Sequence, residues 1–549
     1  MIGVVADKSR IAVIREFFEL FKTPWESCEP QKHYDVLVCD ETCNLEGVTA
    51  GLIVIFRKSD VHSTSARAMD SRSSRDDCHY VLYQGARIPI YGGVTTFSAN
   101  GISSIQEAGS LQPAAYREDG AQTILGVGYD LFSEIETLLT TGQPACNASL
   151  PTLEWHIRIL RELIVRSGVR LIEIPSVPEG VRMIACLTHD IDHPAIRLHH
   201  CDRTVLGFLY RALVRSPIRS LQGQMLIRNM LDNWLAVLKL PLVWLGMADD
   251  FWRRLDGYLE YEQDMQSTFF VIPFKGDPGK PGHRQAGKRR AAAYGARDIE
   301  TELRELVSAG CEVGLHGLDA WHDPVKGRRE LDEIRRVTGI QELGVRMHWL
   351  YFDSGTPDSL DLAGAEYDST VGYNETIGFR SGTTQVYKPL GATRLLELPL
   401  HIMDTALFFP AHLHLTPDGA DRRINEILNR VEECGGIVTI NWHDRSIAAE
   451  RHWEQTYIRI LDNIRSRNVW TASARDIVRW FRVRRSVRFE TIDGVEVPRL
   501  EENALPGEMP GLLLRVHSGS GSGWTDVPLA NCSKGNHAPN AAEKHVFVN

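Results

Sequence analysis

The chain reads as an α/β protein built on a parallel sheet whose strand ends carry the chemistry, and three observations predict it. Seven short apolar runs recur between residues 181 and 482: MIACLTHDID, STFFVIPF, CEVGLHG, GVRMHWLYF, YDSTVGY, LLELPLHI and GIVTINWHD. Helical patterns fill several of the gaps, at 299–308, 328–336, 423–433 and 454–466, and strands alternating with helices imply parallel pairing. Several runs end in a histidine or a charged residue, the placement expected of a barrel whose loops hold the functional groups.

Three regions follow in order. Residues 1–150 alternate short apolar runs (2–6, 34–39, 51–56, 80–83) with polar segments, and 10–21 has helical spacing that puts Ile11, Ile14, Phe17, Phe18 and Phe21 on one side. This predicts a small N-terminal α/β domain; no glycine-rich phosphate loop follows its first strand, so its role is not legible. The polar stretch 63–77 (STSARAMDSRSSRDD) reads as a mobile loop. Helices at 130–140 and 152–167 lead into a barrel domain spanning 151–482. Between its first two strands lies an insertion near 195–257, rich in Leu, Trp and Arg, that reads as amphipathic helices forming a cap or an interaction surface. Within it, WLAVLKLPLVWLGM (234–247) suits a helix hairpin interrupted at Lys239 and Pro241. Residues 483–549 read as a small β-rich segment: VRFETIDGVEVPRL as a hairpin, a further strand entering a Gly/Ser turn, and a flexible tail.

Composition excludes several classes. With 549 residues, 43% hydrophobic and 24% charged, the chain can bury more than one core and is neither disordered, collagen-like nor a disulfide scaffold. A net charge of −10 offers no general attraction to nucleic acid. Ten scattered cysteines without a CxxC pair fit a reducing compartment. The N-terminus lacks the pattern of a signal peptide, and no stretch reaches eighteen uncharged apolar residues. The expectation is a cytoplasmic protein with no transmembrane span.

The chemistry gathers at the strand ends. Thr188-His189-Asp190-Ile191-Asp192-His193 follows the apolar run 183–187, and carboxylates two residues apart at a strand end face one cleft, where one can bind a metal and the other take a proton. A second run, 311–315, ends in His316 and continues to Asp319 and His322; two imidazoles and a carboxylate make an open metal site with room for water. A third ends in Arg346, His348 and Trp349, a fourth in His443-Asp444, and His401 follows LLELPL. Trp321, Trp349 and Trp442 stand near these ends, where they can stack on a sugar ring or pack in the core.

The order of these motifs resembles the polysaccharide deacetylase group (NodB-homology, carbohydrate esterase family 4 and its relatives) over roughly 181–482. That resemblance implies a distorted seven-stranded barrel holding one divalent metal, zinc with cobalt or nickel as alternatives, through Asp-His-His. It implies Asp190 as catalytic base and Asp192, His316 and His322 as metal ligands. Arg346 would orient the base, and His443 would be the catalytic acid. The family's second-motif histidines usually stand four apart, whereas here position 320 is Ala and the spacing is six; Asp319 or His348 are therefore the alternatives to His322. The third motif usually has proline where His348 stands, which places His348 with Trp349 and His401 at the substrate. The implied activity is metal-dependent hydrolysis of a non-peptide C–N bond, removing an N-acetyl or similar acyl group from a carbohydrate or a nucleotide- or lipid-linked sugar. The 195–257 insertion is available for peripheral membrane contact. The competing readings are a catalytically inactive deacetylase-like scaffold in polysaccharide assembly, a deformylase, or a hydrolase of another non-peptide C–N bond.

Overall fold

The computed structural model describes residues 1–40, 47–57, 78–98, 100–200, 202–223, 225–252, 255–281, 287–492, 494–500, 509–519 and 523–532. The polar stretch at 63–77 and the C-terminal tail lie outside the described residues. The chain divides into two compact units, one formed by Met1–Gly180, Phe379–Gln385 and Trp480–Asn549, the other by Val181–Gly378 and Val386–Arg479.

In the first unit, a six-stranded sheet runs in the order Trp25–Ser27, Ile2–Val5, His33–Asp40, Thr49–Phe56, Thr123–Val127, Ala115–Asp119. Every pair is parallel except the last. The helix Ile11–Phe21 carries the apolar stripe read from its spacing and buries Ile14, Phe17, Phe18 and Phe21, each worth roughly 2 kcal/mol when fully removed from water. It stops at Lys22, which adopts the left-handed conformation (φ 51°). The chain's C-terminal part joins the same unit: Leu513–His517 pairs antiparallel with both Leu171–Glu173 and Trp524–Pro528. Arg488–Ile492 and Val495–Arg499 form the expected hairpin.

The second unit holds the parallel sheet. Its order is Leu396–Glu397, Tyr367–Asp368, Val345–Met347, Glu312–Gly317, Ser267–Val271, Met183–Ile191, Ile437–Asn441, Ile402–Met403, with Val469–Thr471 also pairing with Met183–Ile191. All of these pairs are parallel. Met183–Ile191 is buried along its whole length, as a central strand covered on both faces must be. The sheet has nine strands in an open order, where a distorted barrel of seven was expected. Its two end strands, each of two residues, do not pair with one another among the described residues, because so short a segment offers too few ladder bonds to close the sheet. The link between them bridges the gap instead: the N–H groups of Leu398 and Leu400 bond the carbonyls of Asp368 and Val371, and that of His401 bonds the Thr439 carbonyl.

The insertion forms helical segments at Arg203–Tyr210, Arg211–Arg215, Ser216–Leu221 and Ile227–Trp244. The expected hairpin at 234–247 is instead the second half of a single helix. Pro241 sits in its last turn, where it forfeits one backbone hydrogen bond and the helix ends three residues later. No helix among the described residues is long and apolar enough to cross a membrane.

Candidate functional site

Side chains alternate across a strand, so Thr188, Asp190 and Asp192 share one face at the C-terminal end of Met183–Ile191. Arg346 stands three strands along the sheet and reaches across its concave side. It is fully buried. Its Nη1 donates to Asp190 Oδ1 (3.0 Å) and Thr188 Oγ1 (2.7 Å), while Nε and Nη2 donate to the Ser369 carbonyl (3.0 Å) and hydroxyl (2.8 Å). On the other side, Asn441, in register with Thr188, donates from Nδ2 to Asp190 Oδ2 (2.7 Å) and accepts the Asp190 N–H (3.2 Å). Burial works against the Asp190 charge, but the Arg346 guanidinium and then His316 outweigh it and hold the carboxyl below the usual range.

Asp192, His316 and His348 converge beside it, with one ligand atom from each within 4.8 Å of the others. His316 Nε2 and His348 Nε2 each lie 3.5 Å from Asp192 Oδ1. His316 follows from its strand end, and its Nδ1 bonds the Arg346 carbonyl at 3.0 Å. A carbonyl only accepts, so the proton sits on Nδ1 and Nε2 keeps its lone pair. His348 occupies a strained turn: Trp349 and Leu350 both have positive φ (67° and 52°), a conformation unfavourable for bulky residues. Buried Arg290 ties this turn to the one after His316, donating to the carbonyls of His348 (2.9 Å from Nη2) and Leu318 (2.8 Å from Nη1).

The three residues fit a divalent cation. Asp192 Oδ1 is shielded from solvent and makes no hydrogen bond among the described residues. Burial pushes His348 down to about 3 despite the opposing pull of Asp192, the direction that favours a ligand over an imidazolium. Burial opposes ionisation of Asp192 too, yet His348 and His316 hold it well below the usual carboxylate range. Two imidazoles and one carboxylate leave a coordination position open.

His443 stands on the far side of Asp192, its Nε2 3.9 Å from Asp192 Oδ2. Its Nδ1 lies 2.6 Å from Asp404 Oδ1, and its backbone N–H donates to Asp404 Oδ2 (2.7 Å). Burial disfavours the charged ring, but fully buried Asp404 more than offsets it and raises His443 to about 9.

The structure thus brings together Asp190, Asp192, His316, Arg346 and His443, with His348 where His322 was expected. His322 lies outside the group. Its Nε2 is 3.2 Å from Asp319 Oδ1, because Asp323 caps the helix Pro324–Thr338 and His322 ends up in the turn before it. Asp319 is itself engaged by Lys326 Nζ (2.6 Å) and the Lys280 N–H (2.5 Å). His401, expected at the substrate, is buried in the sheet, and its Nδ1 accepts the Thr439 N–H at 3.1 Å. Trp442 is fully buried and stacked on Tyr457 (5.3 Å), a core residue; Trp321 is buried too, and Trp349 is partly exposed beside His348. Asp404, Asn441 and Arg290 were not singled out from the sequence. The first two had a signal: Asp404 directly follows the HIM run, and Asn441 lies two residues before His443 at the same strand end.

No family model and no curated protein matches the chain by sequence. Solved structures do match it. Three of them are a protein assigned as a polysaccharide deacetylase from Mycobacterium smegmatis, the Puue allantoinase, and a family 4 acetyl xylan esterase from Clostridium thermocellum in complex with a cobalt ion. The first is 20% identical, with 56% of this chain and 94% of that chain covered at a TM-score of 0.34. The allantoinase is 14% identical, with 56% and 92% covered at 0.33. The esterase is 12% identical, with 54% and 89% covered at 0.25.

Proposed function

We propose that the chain is a divalent-metal-dependent hydrolase that removes an N-acetyl or similar acyl group from a carbohydrate or sugar-containing precursor. One observation carries this reading: a donor set of Asp192, His316 and His348 lies between a carboxylate held ionised by Arg346 and an imidazolium held charged by Asp404. Asp192, His316 and His348 would hold the ion, zinc with cobalt or nickel as alternatives. When bound, the ion supplies Lewis acidity, polarising the acyl carbonyl and lowering the pKa of water towards about 7 for zinc.

The chain's own groups do the rest. Asp190 takes the proton of the attacking water at the oxygen that faces the site, while Arg346 and Asn441 fix its plane. His443 gives its Nε2 proton to the nitrogen that leaves as the C–N bond breaks, so the products are a carboxylate and an amine. Asp404 fixes the ring through Nδ1, which directs the mobile proton to Nε2. The reading includes peripheral contact with an anionic bilayer through the insertion. Between residues 203 and 247 six side chains are basic and one is acidic, and Leu221, Leu226, Leu238 and Met247 are exposed there.

Metal content per chain tests the assignment. The wild type refilled with zinc should hold about one ion; His316→Ala and His348→Ala should lose it, and His322→Ala and Asp190→Asn should keep it. Asp190→Asn should also lose acetate release from a panel of N-acetylated sugars. Metal lost in His322→Ala but kept in His348→Ala would restore His322 as the ligand. A wild type that binds no ion would sink the hydrolase.

A further inference from the structure

A cavity of about 290 Å³ opens within the second unit, lined in part by the segment that follows His443. That lies at the lower end of the roughly 300–1,000 Å³ typical of small-molecule pockets. Five arginines line it: Arg211, Arg215 and Arg219 from the insertion, and Arg445 and Arg451 from the segment after His443. Glu450 is the only acidic side chain among the lining residues, and Arg211 Nε already bonds it at 2.8 Å. Arg445 Nε lies 3.5 Å from its other oxygen.

Arg445 is the telling residue. Its side chain is 8% exposed, its guanidinium lies over the Trp252 ring at 4.5 Å, and neither Nε nor Nη1 makes a hydrogen bond among the described residues. Burying a guanidinium with only the Glu450 carboxylate within ion-pair reach is costly for a charged group. The backbone around the arginine pair is strained as well: Glu450 and His452 have positive φ (76° and 56°). The aromatic wall is ordered, with Phe408 stacked on Trp453 at 4.9 Å and Arg451 over both Phe409 (5.1 Å) and Trp453 (4.9 Å). Burial and then neighbouring Arg215 press Arg219 below its ordinary value.

A short chain of contacts joins this cavity to the catalytic groups. Arg451 Nη1 donates to Ser446 Oγ (3.3 Å), and Ser446 donates to the Asp404 carboxylate that orients His443. Guanidinium groups match phosphate oxygens in pairs, and the five arginines against one carboxylate suit a ligand carrying several negative charges. We propose that the cavity is a subsite for the phosphate or diphosphate of a glycosyl phosphate, held by the arginines while the sugar's N-acyl group reaches Asp192, His316 and His348, an assignment that rests on the hydrolase function just proposed.

Calorimetric titration of the metal-loaded full chain with inorganic pyrophosphate at low salt tests it. Saturable binding should appear in the wild type, weaken at least tenfold in Arg215→Gln/Arg219→Gln, and stay within twofold in His316→Ala. Both arginines are partly exposed helix residues, so their replacement leaves the core intact. The proposal is overturned by no binding to the wild type or by equal binding to the double variant. It is also overturned by binding that disappears in His316→Ala and survives in the arginine variant, which would place the anion on the metal. Competition then names the source of the phosphate: displacement by uridine diphosphate at lower concentration than by farnesyl diphosphate indicates a nucleotide-linked sugar, the reverse order a lipid-linked one, and displacement by neither overturns the glycosyl phosphate. Acyl release without pyrophosphate binding would count against the subsite alone, and pyrophosphate binding without acyl release against the hydrolase.

Discussion

Arg346→Met should cost the second unit about 4 kcal/mol at neutral pH, and the cost should itself depend on pH. Arg346 is fully buried and satisfies Asp190, Thr188 and both oxygens of Ser369. Removing one partner of a buried ion pair typically costs about 3–5 kcal/mol, because the other charge stays behind in a poor solvent. In the wild type, Asp190 lies below its ordinary value, so its contribution is present above the unfolded value near 4 and is lost as pH falls towards the folded value. In the Met variant burial acts unopposed by Arg346 and raises the carboxyl, so stability there is lost as pH rises through the new value. The difference between the two proteins should therefore be smallest below pH 4 and grow towards pH 7. Urea unfolding followed by tryptophan fluorescence reads it, since eight of the twelve tryptophans lie in the second unit. Adding Asp190→Asn to Arg346→Met removes the stranded charge and should recover about half of the loss. A difference below about 1 kcal/mol at pH 7, or one of equal size at pH 5 and pH 8, would refute the ion-pair argument.

Three further outcomes follow from other parts of the chain. Arg290→Met should weaken zinc binding by about ten- to a hundredfold in a competitive chelator titration, because it unties the turns that carry His316 and His348 without touching a ligand; unchanged affinity would show that those turns hold themselves. Glu134 is buried, accepts the N–H groups of Tyr91 and Gly92 at 2.7 Å, and is raised by that burial to about 7. Its contribution is present below 4.5 and lost as pH rises through about 7, so the melting temperature of the wild type should fall from pH 5 to pH 8 relative to Glu134→Gln, and parallel curves would dismiss it. The full chain should sediment with anionic phosphatidylserine vesicles and not with neutral phosphatidylcholine ones, and Leu221→Glu/Leu238→Glu should abolish that; equal recovery from both vesicle types would remove the charge argument.

The strand ends were legible because period-two alternation and apolar runs fix which residues face the cleft. Asp190, Asp192, His316, Arg346 and His443 stand at those ends, and the resemblance to the deacetylases singled them out from the other strand-end residues. The third imidazole was not legible in the same way. Choosing His348 over His322 needed the path of the turn after residue 317, which is set by contacts far apart in sequence: Glu330 accepts the N–H groups of Leu318 and Asp319, and Lys280 and Lys326 hold Asp319. His401 misled for the opposite reason. It stands at a strand end as the others do, but its segment bridges the sheet's open edge, and its ring is spent on the Thr439 backbone. Two helices came through longer than expected, at Pro324–Thr338 and Pro417–Cys434, and two within one residue, at Glu300–Ser308 and Glu454–Arg465. The strand count did not, since nothing in a run of apolar residues says whether a two-residue strand will find a partner.

Partners rather than residue types sort the roles at this site. Asp190 and Asp192 are separated by one residue, lie on one face of one strand and are both ionised, yet Asp190 has its oxygens taken by Arg346 and Asn441, whereas Asp192 Oδ1 has only imidazoles around it and no hydrogen bond. The first is therefore aimed and held for a proton; the second is left with a free lone pair, which is what a cation needs. The imidazoles divide in the same way. His348 is kept neutral by burial and His316 is turned by a carbonyl so that Nε2 faces inward, while His443 gains a buried carboxylate at Nδ1 and carries its charge. Exchanging those partners would exchange the roles: a carboxylate placed at His316 Nδ1 would favour a second imidazolium beside Asp192 over a ligand, and loss of Asp404 would leave His443 a neutral ring beside the ion, as ready to bind it as to donate a proton. In the proposed hydrolase, a fully buried aspartate on one histidine and a backbone carbonyl on another would separate metal binding from proton transfer within a few ångströms.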